Sequence, residues 1–442
     1  MPIAIISSKP ESNVRMSTPN APVELSKSAR IAVLVAAFLG LVFDGFELGL
    51  MPVAAPSVTK NLLGDEVMKS ISSQELKEIV GHWFAMYTTS LMLGAAFGGI
   101  FLGNLGDRIG RARAMGVSIL FYSVFAFLGA FVQSQEQMLL LRFAVGLGVG
   151  GMWPNGVAIV AECWPNASRP TVSGILGAGI NVGILGLSLL GSQYPITPDS
   201  WRWVFALSAI SAVLGIVVVL FLPESPKWLA SRGQAKKSTS PAPLRELFRR
   251  EMAWPTIIAI LLCSVPLIGA WAGSKWMIPW ADSAGGIAHP RYKSTTQLYW
   301  ALGATMGGLL GAPLSSRLGK RVSYFAISLG ATAMTWAMFR LTEPFAPSFL
   351  WIVLFQGFVA TLFFGWLSLY LPEMFPVRIR ATGSGVAMNV GRFVTAGGVL
   401  AAGWLVALFD GDYSAVGAAC AMIYALGMIV AFSIPKPADD TI

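Results

Sequence analysis

Asp44 and Glu47 lie in the apolar run from Phe38 to Pro52, three residues apart and so on one face of a helix. A charge in mid-membrane costs about 2.5–3.5 kcal/mol on insertion scales, so neither carboxylate belongs against lipid. They could carry a proton, or make a structural ion pair between helices; Glu47 is also near enough to the helix end to reach water. Arg142 is one turn inside the next uncharged stretch of interest, Leu141 to Gly151. It can pair with Asp44 or Glu47, or snorkel to the membrane surface. Arg392, in the run Ala387 to Phe393, falls near the middle of its span. A guanidinium cannot shed its proton, so it needs an anion, either a protein carboxylate or a cargo molecule. Bidentate carboxylate recognition suits its geometry, with Asn389 one turn away.

Lys275 stands among Trp271, Trp276 and Trp280, where aromatic faces and an ammonium could flank a flat anion. A belt of tryptophans at the membrane surface is the other reading. Gln356, with Tyr299, Trp300, Phe363, Phe364 and Trp366, adds candidates for a lined cavity.

The elements that must position these groups follow from composition. The 442 residues are 55% hydrophobic and 12% charged, against about 25% charged in a soluble domain. Windows of about 19 residues give twelve spans, near 30–52, 82–102, 114–133, 137–160, 171–192, 202–222, 254–280, 297–316, 321–341, 348–370, 381–409 and 413–434. The expected fold is therefore an all-α membrane protein of twelve transmembrane helices. Its parts are a tail (1–29), a six-helix bundle (30–222), a linker with a short amphipathic helix at Arg245 to Glu251 (223–253), a second six-helix bundle (254–435) and a tail (436–442). Most of the 31 Lys and Arg residues fall in the tails and the loops on their side. Basic short loops stay cytoplasmic, so both termini are expected in the cytoplasm of a cell whose inner membrane holds the chain. The net charge of +9 then records topology and not a nucleic-acid partner. No secretory signal is evident in Met1 to Lys27. Cys163, Cys263 and Cys420 lack metal-ligand spacing and read as small core residues; no metal and no cofactor is expected. The loop from Ser57 to Gly81 carries mixed, solvated charges and is assigned no chemistry.

Gly103 to Arg113 reads as a tight basic turn, in which Asp107, Arg108, Arg111 and Arg113 could clamp neighbouring helix ends in one conformation and release them in another. Gly94, Gly98, Gly99 and Gly103 have the small-xxx-small spacing of a close, sliding helix interface. A second short loop runs from Glu162 through Arg169 to Gly174. Internal repetition ties these features together. A shift of 209 residues puts Gly303, Gly307 and Gly308 on Gly94, Gly98 and Gly99, and Arg317 to Lys320 on Arg108 to Arg111. A shift of 211 lays Glu373 to Gly385, including Arg380, over Glu162 to Gly174. Two pseudo-symmetric halves follow, with Ser316 replacing Asp107 in a weaker second latch. The repeat mate of Arg392 is Asn181, and this departure from symmetry points to chemistry.

The Gly-x-Leu-x-Asp-Arg-x-Gly-Arg turn around Gly110 resembles the signature loop of the major facilitator superfamily. The Arg-x-x-x-Gly-x-Gly-x-Gly spacing at Arg142 is similar to a motif linked there to proton transfer. Pro223-Glu-Ser-Pro-Lys-Trp-Leu229 resembles a mark shared by sugar porters, aromatic acid/proton symporters and organic-ion transporters. The resemblance implies a secondary transporter working by alternating access, a monomer whose partners are protons, the bilayer and a small organic anion, aromatic or nicotinate- or sialate-like. It also implies that Arg392 holds the anion, as an Arg does in the corresponding helix of organic-anion carriers. A sugar/proton symporter, a drug/proton antiporter and a non-transporting nutrient sensor are the alternatives. A sugar site would need amide-rich spans, and an antiporter a Gly-Pro motif absent from Gly174 to Gly191. No nucleophile–base pair suggests an enzyme, and no phosphate-binding Gly-x-x-x-x-Gly-Lys loop suggests a pump.

Overall fold

The computed structural model describes residues 25–164, 169–232, 243–376 and 379–435. Twelve long helical segments make up the fold among them. In the first half these are α1 (Lys27–Leu63), α2 (Ser73–Ile109), α3 (Arg111–Phe131), α4 (Gln135–Cys163), α5 (Arg169–Gln193) and α6 (Arg202–Phe221). In the second they are α7 (Arg250–Gly285), α8 (Tyr292–Leu318), α9 (Lys320–Arg340), α10 (Phe349–Tyr370), α11 (Arg380–Leu408) and α12 (Tyr413–Phe432). Eleven have the length and hydropathy to cross a membrane, α5 and α11 over residues 174–193 and 382–408. The segment α8 is more polar but, at 27 residues, is about 40 Å long at 1.5 Å per residue and also long enough. An even number of crossings leaves both ends of the described chain on one side, here called the terminal side.

Several helices run well past the expected spans, because a helix end outside the lipid is set by caps and not by hydropathy. Ser72 and Glu75 form a reciprocal capping box that starts α2 nine residues before the apolar run. The expected loop from Ser57 to Gly81 is mostly helix: α1 continues to Leu63, and Asp65–Ser70 forms a short helix. The expected turn at Gly103 to Arg113 shrinks to one residue, Gly110, whose φ of 109° separates α2 from α3. Its repeat mate Gly319, φ 77°, separates α8 from α9 in the same way, a conformation that favours glycine. The expected amphipathic helix is a single turn, Pro243–Leu247, pinned by buried Leu247 and by the Thr256 hydroxyl donating to its carbonyl. The expected tails fall outside the described residues except 25–29, as do residues 233–242 of the linker.

The repeat is built into the packing. Within the first half, α2 lies on α4 so closely that a Cβ on Gly94 or Gly98 would strike the carbonyls of Phe143 and Leu147. Within the second, Gly303 and Gly307 of α8 press on the carbonyls of Leu354 and Phe358 of α10, the same pairs shifted by 209 and 211. Gly94, Gly98, Gly303 and Gly307 thus report close packing inside each half, while Gly99 and Gly308 face the seam, on Asn389 and Asn181 of the other half. The seam between halves is made where α2 meets α11 and where α5 meets α8. Cys163 and Cys263 are buried, Cys420 is partly buried, and all three are free thiols.

Candidate functional site

Glu47 and Arg142 are brought together at the centre of the first half. Both are sealed, at 0% and 1% exposure. Arg142 Nη1 lies 3.6 Å from Glu47 Oε2, and its Nη2 donates to the Glu47 carbonyl at 3.1 Å. The Ser208 hydroxyl of α6 donates to the other carboxylate oxygen. The expectation that Arg142 pairs with an α1 carboxylate holds for Glu47, while snorkelling of Arg142 and water access for Glu47 are both overturned by burial. The apolar surroundings that hid the pair from water also make the two charges depend on each other.

Asp44, one turn earlier on α1, is buried, makes no ion pair among the described residues, and leaves its Oδ1 without a hydrogen bond. Arg392 itself is half-buried. Its Nη1 donates across the seam to the Ala95 carbonyl of α2 at 3.2 Å and to Asn389 Oδ1 at 3.3 Å. Its Nε and Nη2 donate to no described group. That edge of the guanidinium is the one suited to grip both oxygens of a carboxylate. Asn181 repeats the crossing from the other side: its Nδ2 donates to the Ala304 carbonyl of α8 at 3.2 Å. Ala95 and Ala304 are related by the same 209-residue shift, and Asn181 and Arg392 by 211. Two mirrored hydrogen bonds therefore clip the halves together, one from an amide and one from a guanidinium.

The remaining candidates lie elsewhere. Gln356 is not lining a cavity: its oxygen accepts from Trp300 Nε1 at 2.8 Å, and its nitrogen donates to the Ser274 and Thr335 hydroxyls. Phe363 and Trp366 are core residues of the second half. Trp276 neither faces lipid nor lines open space; it is sealed in the seam between Phe84 of α2 and Tyr413 of α12. Trp271 is partly buried against the core. Lys275 is wholly buried and has its Nζ 3.4 Å from the centroid of the Trp300 ring.

The side opposite the termini is shut by groups that sequence reading passed over. Lys60 and Lys293 both reach Asp282, at 2.7 and 2.8 Å. Lys293 also donates to Ser57 Oγ at 2.7 Å, and Gln297 Nε2 to the Gly49 carbonyl at 3.0 Å. Lys60, Ser57 and Gly49 belong to α1 and the others to α7 and α8, so the cluster bridges the halves. Of the charges in the expected solvated loop, Lys60 is structural in this respect, while Asp65, Glu66, Lys69, Glu75 and Lys77 are exposed as expected; hydropathy does not pair residues 222 positions apart. Hydrogen bonds to charged groups contribute about 1.5–3 kcal/mol each. Asp282→Asn is thus expected to loosen this face. Maleimide labelling of a thiol introduced by Ser294→Cys, in a background without native cysteines, should speed up at least about tenfold, as a shift near 1.4 kcal/mol implies. An unchanged rate would remove the cluster from any gating role.

On the terminal side, the ion pairs among the described residues stay inside the first half. Arg111 joins Asp107 at 2.6 Å and Glu162 at 3.7 Å. Glu224 accepts from Ala112 N at 3.1 Å and backs onto Gly110, while Trp228 Nε1 donates to the Asp107 carbonyl at 2.9 Å. The Pro223 to Leu229 motif is therefore the clasp on the Gly110 turn. Arg108 and Arg113 are exposed and do not join the expected Asp107 clamp; Gly103 packs on Pro154. In the second copy, Arg317 and Glu373 are exposed, Ser316 bonds only its own helix at Pro313, and Arg380 Nε donates to the Phe375 carbonyl. The side chain of Arg169 and residues 165–168 lie outside the described residues.

The Major Facilitator Superfamily profile matches residues 36–285, more than half of the chain. The chain belongs to the major facilitator superfamily. Among its relatives, a probable 4-methylmuconolactone transporter of Cupriavidus pinatubonensis is 30% identical over 79% of this chain and 80% of its own. A cis,cis-muconate transport protein of Acinetobacter baylyi is 28% identical, covering 86% and 91%. The crystal structure of a D-xylose–proton symporter shares the fold at a TM-score of 0.68 and 16% identity, over 93% of this chain and 98% of that one. The protein is a multi-pass membrane transporter and not an enzyme. Major facilitator proteins bind cargo at the interface of their two halves near mid-membrane, and Arg392 and Asn181 occupy that interface here.

Proposed function

We propose that this major facilitator protein carries a small organic anion together with a proton through the cytoplasmic membrane, acting as a monomer with both termini in the cytoplasm. The observation that supports it most is the Arg392 guanidinium, placed at the seam with its Nε–Nη2 edge unbonded and no ion pair among the described residues. The cargo carboxylate completes its coordination, with Asn389 holding the guanidinium and Asn181 facing the cargo from the other half. Asp44 carries the proton, because it is a buried carboxylate whose Oδ1 is left without a hydrogen bond one turn from the Glu47–Arg142 pair, and that pair tunes it. The names of the relatives, which move muconate and a muconolactone, favour unsaturated or aromatic carboxylates within this class.

Uptake into proteoliposomes under an imposed pH gradient tests the reading, with benzoate, cis,cis-muconate and D-xylose as cargo. Gradient-driven accumulation of a carboxylate is expected, and xylose uptake at the level of empty liposomes; accumulation of xylose alone would reject the anion assignment. In Asp44→Asn, pH-driven accumulation should fall to the unenergised level, while exchange of labelled for unlabelled carboxylate continues. Persistent pH-driven accumulation would move the proton elsewhere.

A further inference from the structure

Lys275 has no role in the site just proposed, and its setting is costly. It is 2% exposed, and its ammonium has no hydrogen bond and no carboxylate among the described residues. Its Nζ contact is the face of Trp300, worth about 2 kcal/mol or more when dry. Held as an ammonium without a partner, it would cost several kcal/mol. Asp282, the acid of the same segment, is already shared by Lys60 and Lys293. The backbone is shaped to place Lys275 there: α7 widens into a π turn at Gly269–Gly273 and tightens into a 3-10 turn at Ser274–Trp276. Such interruptions are found at functional positions.

Other unsatisfied groups share this part of the molecule. Trp276 Nε1, Ser294 Oγ and Gln297 Oε1 are buried without partners. Each belongs to a residue packed against the first half: Trp276 on Phe84, Ser294 on Gly191 and Gln297 on Gly49. Donors and acceptors left orphaned along one seam cost about 1–3 kcal/mol each, unless the seam opens and they are satisfied in the other state. The contacts that close it, Lys60–Asp282, Lys293–Ser57 and Gln297–Gly49, are polar and separable.

We propose that Lys275, with the Trp276 N–H and the Trp300 ring, forms a second carboxylate-binding station, which the anion meets on the external side of Arg392 once the Lys60–Asp282 contact parts. The ammonium neutralises the carboxylate, the indole N–H donates to it, and the Trp300 face lies beside a flat organic body. The station rests on the anion reading above, and it makes the carrier asymmetric: an anion entering from outside uses Lys275, whereas one entering from the cytoplasm reaches Arg392 with the outer seam closed.

Full-length protein in right-side-out and inside-out membrane vesicles, with benzoate as the probe, separates the two stations. Lys275→Met is expected to raise the KM for entry from the external face at least tenfold and to leave the KM from the cytoplasmic face within twofold. Lys275→Arg stays near the parent on both faces, and Arg392→Ala is impaired on both. An external KM within twofold of the parent in Lys275→Met, or an equal rise on both faces, overturns the station. Normal transport in Arg392→Ala would instead refute the Arg392 assignment and leave the Lys275 result to be read by itself. Removing an uncompensated buried charge should not lower Tm. If Lys275→Met nevertheless does not accumulate, Trp276→Phe, which keeps the ring and removes only the N–H, must show the same one-sided rise at about threefold or the station is rejected.

Discussion

Arg392→Ala protein, purified and tested by thermal shift or by counterflow, binds benzoate or cis,cis-muconate at least a hundredfold more weakly than the parent. Truncating one member of a buried, hydrogen-bonded charge pair costs about 2–5 kcal/mol, and at about 1.4 kcal/mol per decade the middle of that range is two to three decades. Arg392→Lys restores the charge but neither the fork nor the bond to Ala95 that aims it, so it should recover only part of the loss. Folding is expected to survive both changes. Nη1 is clipped to a backbone carbonyl and to Asn389, and losing these contacts breaks no ion pair among the described residues. Unchanged affinity in both variants would remove Arg392 from the cargo site.

The second large effect is on stability. Arg142→Ala leaves the Glu47 carboxylate sealed at the centre of the first half with only the Ser208 hydroxyl for company. Breaking a buried ion pair from one side costs about 3–5 kcal/mol, which at about 2–4 °C per kcal/mol for a domain of this size lowers Tm by roughly 10 °C. Neutralising the orphan should reverse most of it. Glu47→Gln keeps an acceptor for Ser208 and removes the charge, so the double variant Glu47→Gln/Arg142→Met is expected to melt well above Arg142→Ala alone. Detergent-solubilised protein followed by tryptophan fluorescence would measure this. Equal melting of single and double variants would mean that the two residues do not depend on each other.

The charged groups were legible in the sequence because lipid makes them rare. Asp44, Glu47, Arg142, Lys275 and Arg392 stand out against uncharged spans, and a pairing of Arg142 with an α1 acid could be named in advance. What could not be read was the partner of each. Glu47 and Asp44 share a helix face, and only the rotation of α1 against α4 decides that Arg142 meets Glu47 and leaves Asp44 alone. The tryptophans near Lys275 had two plausible settings, a lipid belt or a cargo site, and the seam gave Trp276 a third. Lys60 and Asp282 were overlooked because charges beyond an apolar run look solvated until a helix from the other half arrives beside them.

By itself, the sequence determined the twelve crossings, since burial in lipid depends on local hydropathy. It also determined the doubled architecture, since repeated glycine spacings survive as repeated contacts, and the residues whose charge demands a partner. Only the tertiary structure decided that the halves are clipped by the mirrored Asn181 and Arg392 bonds and that one face is locked around Asp282. The structure also determined that Arg392 bonds through Nη1 and leaves its Nε–Nη2 edge without a described partner. Those facts depend on how two halves meet, and contacts across a seam are set by the packing of entire helices and not by any stretch of neighbouring residues.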